Sequence, residues 1–294
     1  MKFFKRLLVV LVLMILGAAI AAGVGLYLLR GRPGFYKAYA WDANERSVVN
    51  QRAVDKLTLA QNLAARAQAG EQRAATSPAA QGAPSPAPVE PLTVSFTEEE
   101  VNAFLLHNVE ASPDFKHKAE RYVKDPGVFL DDGQIILAAQ VKDFGSVISL
   151  HFAPRLDEQG RLHMPLVKSL GGRLPLPTAF TGQYVDRIRN ALTARLPEWQ
   201  RGASIDRTGR TNTSAVAAAM SKLLLGALNN QPADAVLFMP IADGDRSVPL
   251  RLTAIKVAAD TLTLSLQAMT AAERESVLNS IRNPVGTPPP AGAQ

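Results

Sequence analysis

Histidine and carboxylate are the residue types in this chain best suited to proton transfer or metal binding, and histidine is sparse. There are four histidines, His107, His117, His151 and His163, and no cysteine. A histidine beside a carboxylate can move protons, and several such groups together can hold zinc. His151 and His163 fall on adjacent predicted strands, in phase with polar neighbours, so both are expected to face solvent or a groove. Two imidazoles without further ligands and an outer shell of hydrogen bonds do not make a metal site. Asp131-Asp132-Gly133 and Asp243-Gly244-Asp245 resemble fragments of calcium loops, but neither continues to the terminal Glu of such a loop, and both read as turns. Glu98, Glu99 and Glu100 stand at a helix start, where capping and the helix dipole account for them. No serine lies in a nucleophile-elbow sequence. Gly171-Gly172-Arg173 is too short for a phosphate loop, and Asn212-Thr213-Ser214 is a glycosylation-like triplet of a kind common by chance. The missing cysteines exclude disulfides, thiol catalysis and cysteine-ligated zinc. No catalytic residue, no metal and no cofactor is expected, and a binding or structural role is preferred to an enzyme.

The elements that would position a site are easier to read. Thr97 and Glu100 form a capping box, with Phe96 and Val101 as a hydrophobic staple, so a helix should run from about Glu98 to Val109. Asp132-Gly133 then turns into a strand over Gln134–Lys142, with Ile135, Leu137, Ala139 and Val141 on one face. A second strand, Ser146–Ala153, points Ile148, Leu150 and Phe152 one way and Ser149 and His151 the other. Leu162, Met164 and Leu166 alternate in a third. Phe180, Tyr184, Ile188, Ala191 and Leu192 are spaced for one helix, and Val216, Met220, Leu223, Leu224 and Ala227 for another. A closing hairpin contains Thr261–Gln267, followed by a short helix over 271–282. The expected fold class is α+β, with one curved, mostly antiparallel sheet packed on helices.

Leu7 to Leu29 is 23 residues without a charge. As a helix it spans about 34 Å, enough to cross a hydrocarbon core of roughly 30 Å. Lys2, Lys5 and Arg6 on one flank are balanced by Arg30, Arg32 and Lys37 on the other, so position decides: a short basic N-terminus is expected to stay inside, leaving the domain to face the periplasm or cell exterior. A cleaved signal peptide ending near Ala19-Ile20-Ala21 is the alternative, but apolar residues continue past it. The overall charge is +6, of which residues 1–32 hold +5 through Lys2, Lys5, Arg6, Arg30 and Arg32. The remainder is near neutral, which argues against nucleic acid as a partner. The expected organisation is therefore residues 1–32 as cytoplasmic tail and transmembrane anchor and 33–69 as a helical stalk, or a helix resting on the domain. Residues 70–91 form an Ala/Pro/Ser-rich linker, 92–282 an extracytoplasmic domain and 283–294 a disordered tail. The linker would reach roughly 25 Å from the membrane.

Three stretches carry a resemblance. They are Phe96-Thr97 through Asn102, Asp131-Asp132-Gly133 leading into Gln134–Leu137, and Leu170-Gly171-Gly172-Arg173-Leu174-Pro175-Leu176-Pro177. With the N-terminal span, they resemble the YpmS-like group of single-span bacterial membrane proteins. The layout is also similar to lipid-binding domains of the LmeA type and, in fold alone, to the tubular lipid-binding superfamily. The LmeA-type likeness implies a groove between a curved sheet and a long helix that holds acyl chains. Candidate liners are Ile135, Leu137, Ile148, Leu150, Phe152, Leu162, Met164, Met220, Leu223, Leu224, Leu262 and Leu264. The partners so implied are the membrane and a lipid or acyl chain. The alternative is an envelope protein-interaction or scaffold module with a filled core.

Overall fold

Past the first helical turn after residue 27, the chain turns at Pro33-Gly34 and lays Phe35, Tyr36 and Tyr39 across a sheet. Tyr36 Oη donates to the Asp125 carbonyl at 2.8 Å, and Tyr39 Oη donates to Glu98 Oε1 at 2.5 Å. The three rings pack around Phe129 at centroid distances of 5.7, 5.5 and 6.3 Å. The computed structural model describes residues 28–76, 90–110, 117, 120–142, 145–176, 178–206, 210–240 and 246–282. The expected anchor, up to residue 27, lies outside them, as do Asp243-Gly244-Asp245, linker residues 77–89 and the tail 283–294. Among the described residues, no helix is long and apolar enough to cross a membrane.

Helix α1 (Ala43–Thr76) follows, with Asp42 capping its first turn. Next come β1 (Leu92–Thr97) and α2 (Glu98–Glu110), which starts on the capping box: Thr97 N–H to Glu100 Oε2 at 2.9 Å and Glu100 N–H to Thr97 Oγ1 at 3.2 Å. α1 runs antiparallel to α2, through Arg46 with Glu110 and Lys56 with Glu100 at 2.7 and 2.6 Å. Its Ala60 and Ala64 then pack on a sheet core. The segment expected as a stalk thus rests on the domain, and its helix runs to Thr76, into the expected linker. Residues 77–89 consequently join two elements of the same body.

The expected α+β class with antiparallel sheets on helices is what the structure contains, but the single sheet is three. One orders β2 (Val123–Asp131), β3 (Gln134–Val141), β4 (Ser146–Phe152), β7 (Leu166–Gly171) and β8 (Leu174–Pro175) side by side. A small one holds β5 (Arg155–Leu156), β6 (Arg161–His163) and β10 (Ala233–Asp234). The last orders β1, β13 (Thr261–Ala268), β12 (Arg246–Ala258) and β11 (Val236–Pro240), with β9 (Thr211–Asn212) on β12. The expected continuous strand through Leu162 and Leu166 is broken at Met164-Pro165, because proline donates nothing to a ladder, and its halves enter different sheets. Helices α3 (Thr178–Gly202), α4 (Thr213–Leu228) and α5 (Ala271–Arg282) pack together on Leu196, Ala215, Ala218, Leu225, Leu278 and Ile281.

The faces of β3 and β4 are opposite to expectation. Ile136 and Ala138 are buried, and Leu137 is 40% exposed. On β4, Val147, Ser149 and His151 are buried, while Ile148 and Leu150 are half-buried. The buried side is the one that Phe35, Tyr36 and Tyr39 cover.

The glycine pair at the β7–β8 turn has a definite role. Gly172 has φ +59, and its N–H donates to the Val147 carbonyl at 2.7 Å. A Cβ there would lie 2.2 Å from the Leu29 carbonyl oxygen. The next N–H, of Arg173, donates to the Leu28 carbonyl at 2.9 Å, and Arg173 Nε donates to the Arg32 carbonyl at 3.2 Å. The turn therefore caps the carbonyl end of the helical segment that leads in from the N-terminus. That is how this chain uses the Gly-Gly-Arg triplet.

Candidate functional site

Two helices can approach closely where their contact faces are small. α4 offers Ala215, Ala218 and Ala219 toward α3, and it is started by Asn212, whose Oδ1 accepts from Ala215 N–H at 3.0 Å. Asn212 Nδ2 also donates to the Gly202 carbonyl at 2.8 Å, tying the two helices at one end. The asparagine of the glycosylation-like triplet is thus a helix cap. Away from that tie the helices leave a cavity of about 520 Å³. Leu196, Met220, Leu223, Leu225, Phe238 and Ile281 supply its apolar wall.

One part of the wall is polar. Lys222 Nζ donates to the Ser280 carbonyl, and Ser280 Oγ donates to Asp234 Oδ2 at 2.5 Å. Burial lowers the Lys222 pKa, and the Asp234 carboxylate partly offsets this. Arg189 lines the cavity and pairs with Asp186 at 2.5 Å. Its buried Nε has no hydrogen-bond partner among the described residues. The cavity is therefore apolar with a polar margin, in which Arg189 and Lys222 stand with Asp186 and Asp234, an arrangement that can take an amphiphile with a polar end.

Of the twelve candidate liners, Met220 and Leu223 border this cavity. Ile135, Leu137, Ile148 and Leu150 lie together on the half-exposed face of the β2–β8 sheet, with Leu137 opposite Leu150. Phe152 is buried. Leu162, Met164 and Leu264 belong to the filled core under α1, which Leu223 also touches. Leu262 pairs with Phe96 and Val257. Leu224 is exposed on α4. The twelve do not converge on one groove, because they are divided between separate sheets and α4 packs on α3 rather than across β3 and β4. Leu196, Leu225, Phe238 and Ile281 were missed as liners. The signal for Leu196 was the α3 stripe continuing one turn past Leu192; Ile281 follows Val277 by four residues on α5.

The histidines form no joint site. His151 is 4% exposed and faces the core, which corrects the expectation of solvent. Its Nδ1 meets Gln134 Oε1 at 3.1 Å, its Nε2 meets Ser149 Oγ at 3.2 Å, and Phe35 stands edge-on at 5.5 Å. His163 lies in another sheet and meets Asp157 Oδ2 at 3.2 Å. Among the described residues no group of three metal-ligating side chains converges.

His151 supports a prediction. Burial, then Lys168, lowers its pKa below the ordinary value of 6.5. Above about pH 6.5 folded and unfolded chains both keep it neutral. Below that the unfolded chain takes up a proton that the folded chain resists, so stability falls with pH until the lower folded pKa is passed. Thermal unfolding compared at about pH 7.5 and 5.5 should show a drop that His151→Gln reduces. An identical drop in the variant would assign the effect to other groups.

Comparison of the chain with protein-family models, with curated proteins and with solved structures finds no match.

Proposed function

We propose that this chain is a single-span membrane protein whose extracytoplasmic domain holds a lipid or other acyl-chain ligand between α3, α4, β11 and α5. The uncharged run Leu7–Leu29 supplies the anchor, with the domain on the periplasmic or outer side. The observation that carries the ligand reading is the cavity of about 520 Å³, within the roughly 300–1,000 Å³ typical of small-molecule sites. Its apolar wall suits the chain of an amphiphile, and its polar margin can take a polar end. No cofactor and no catalytic step enter this reading.

The test is uptake of radiolabelled palmitate and phosphatidylglycerol by the delipidated full chain. Leu223→Trp, which places an indole in the cavity, should reduce uptake at least about tenfold, equivalent to about 1.4 kcal/mol. Wild-type chain that takes up neither ligand, or a Leu223→Trp variant that binds as well as wild type, defeats the reading. A second reading, an envelope interaction module, draws on the half-exposed face of Leu137, Ile148 and Leu150. It predicts no uptake and a partner crosslinked from that face.

A further inference from the structure

We infer that the rim of the β2–β8 sheet nearest the N-terminal segment is a docking surface for anionic lipid headgroups, an inference that rests on Leu7–Leu29 being a membrane span. In an antiparallel sheet, the start of β2, the end of β3, the start of β4 and the end of β7 share one edge. The pairs Val123 with Val141, Val141 with Ser146, and Ile148 with Gly171 place them so. The Gly172-Arg173 turn on that edge caps the carbonyl of Leu28 through Arg173 N–H and lies against the carbonyl of Leu29, these two being the last residues of the span. A membrane containing the span would therefore bring its headgroups nearest to this edge of the sheet.

The charge fits such a surface. Among the described residues, Arg30, Arg32, Lys37, Arg121, Lys124, Lys142 and Arg173 stand at this end against Glu110, Glu120 and Asp125, an excess of four positive charges. Arg173 and Lys142 bond through their side chains to main-chain carbonyls, of Arg32 and Glu120, so these bonds hold the cations in place without neutralising them. Lys124 is 63% exposed and only 3.9 Å from Asp125 at its nearest. Tyr122 is exposed at the same edge, with the Arg121 guanidinium 6.0 Å from its ring. Tyrosine and arginine together are typical of the headgroup layer. The attraction decays within a Debye length of about 8 Å, so it acts only because the capped turn holds the rim at the surface. The opposite end of the sheet, with the β2–β3 turn at Asp132, is about 25 Å away at roughly 3.3 Å per residue.

The absence of cysteine allows a clean test. Single Glu120→Cys and Asp132→Cys versions of the full chain are labelled with a fluorophore and inserted into nanodiscs. One set is phosphatidylcholine with phosphatidylglycerol, the other phosphatidylcholine alone, each with a headgroup nitroxide quencher. Quenching at 120 should exceed that at 132 in the anionic discs, since position 132 stands about 25 Å farther off at roughly 3.3 Å per residue, and the anionic-over-neutral gain at 120 should be at least about fivefold, the effect of a single basic residue near the surface. Quenching at 120 should fall in neutral discs and in an Arg121→Gln, Lys124→Gln background, while staying above the 132 value because the capped turn still holds this rim nearer the surface. Equal quenching at the two positions, or quenching at 120 indifferent to lipid charge, overturns the docking surface. A chain that fails to co-purify with the discs overturns the anchor reading itself, and the docking surface with it.

Discussion

Asn102→Ala is expected to destabilise the domain by about 3 kcal/mol, the largest single-residue effect on folding predicted for this chain. β2 is the edge strand of its sheet, so its outward main-chain groups have no neighbouring strand. Asn102, fully buried on α2, takes that strand's place. Its Oδ1 accepts from Val128 N–H at 2.7 Å, and its Nδ2 donates to the Val128 carbonyl at 2.5 Å and the Glu98 carbonyl at 2.9 Å. Gly127 permits the approach, since a Cβ there would lie 3.3 Å from Asn102 Oδ1. Alanine removes all three bonds and leaves a donor and an acceptor of the half-buried Val128 unpaired, each costing about 1–3 kcal/mol to the extent that water is kept from it. For a domain of this size that is a fall in Tm of roughly 6–12 °C, readable by calorimetry of the full chain in detergent. Asn102→Asp, which keeps the acceptor and loses both donors, should fall at least as far. A loss below about 1 kcal/mol would mean that water replaces the amide, and the clasp would then be incidental.

That clasp shows what could and could not be read from the chain alone. The capping box at Thr97 and Glu100 is a local pattern, and the helix starts where it predicts. The spans of β3 and β4 were legible because Asp132-Gly133 marks a turn and apolar residues persist on both sides of it. Their faces were not. Ile135, Ile136, Leu137, Ala138 and Ala139 are apolar at both parities, so alternation cannot choose between them. Phe35, Tyr36 and Tyr39 make the choice, about a hundred residues earlier, and local periodicity carries no sign of that contact. The same strip buries His151 and Ser149, which polar character had assigned to solvent. The cavity was legible only in part for a similar reason. The α4 stripe exposed Met220 and Leu223 as candidates, but that α4 would pack on α3 and α5 rather than on β3 and β4 is a long-range outcome.

Gly172→Val is expected to separate the N-terminal segment from the body while leaving the body folded. Gly172 combines a φ of +59 with the close approach of two main-chain carbonyls, those of Leu29 at 2.2 Å and Leu28 at 2.5 Å from where a Cβ would stand. Left-handed backbone disfavours a β-branched residue, and the obstruction is backbone, which no rotamer change relieves. The clash falls on the contact between turn and anchor end, far from the three-helix cavity and from the Asn102 clasp. The readout is trypsin cleavage after Arg30, which should accelerate at least about tenfold, equivalent to about 1.4 kcal/mol of added local opening. Gly133→Ala separates strain from clash: it has φ +72 but open space around the added carbon. It should cost about 1 kcal/mol of overall stability with Arg30 cleavage unchanged. A Gly172→Val variant cleaved no faster than wild type would show that the turn does not hold the segment. Residues 30–34 would then act as a swivel between the N-terminal segment and the body. If cleavage does accelerate, one glycine couples the N-terminal segment to the body. On the proposed membrane-anchored reading, the same variant should then weaken lipid contact along the rim while leaving acyl-chain uptake in the cavity intact.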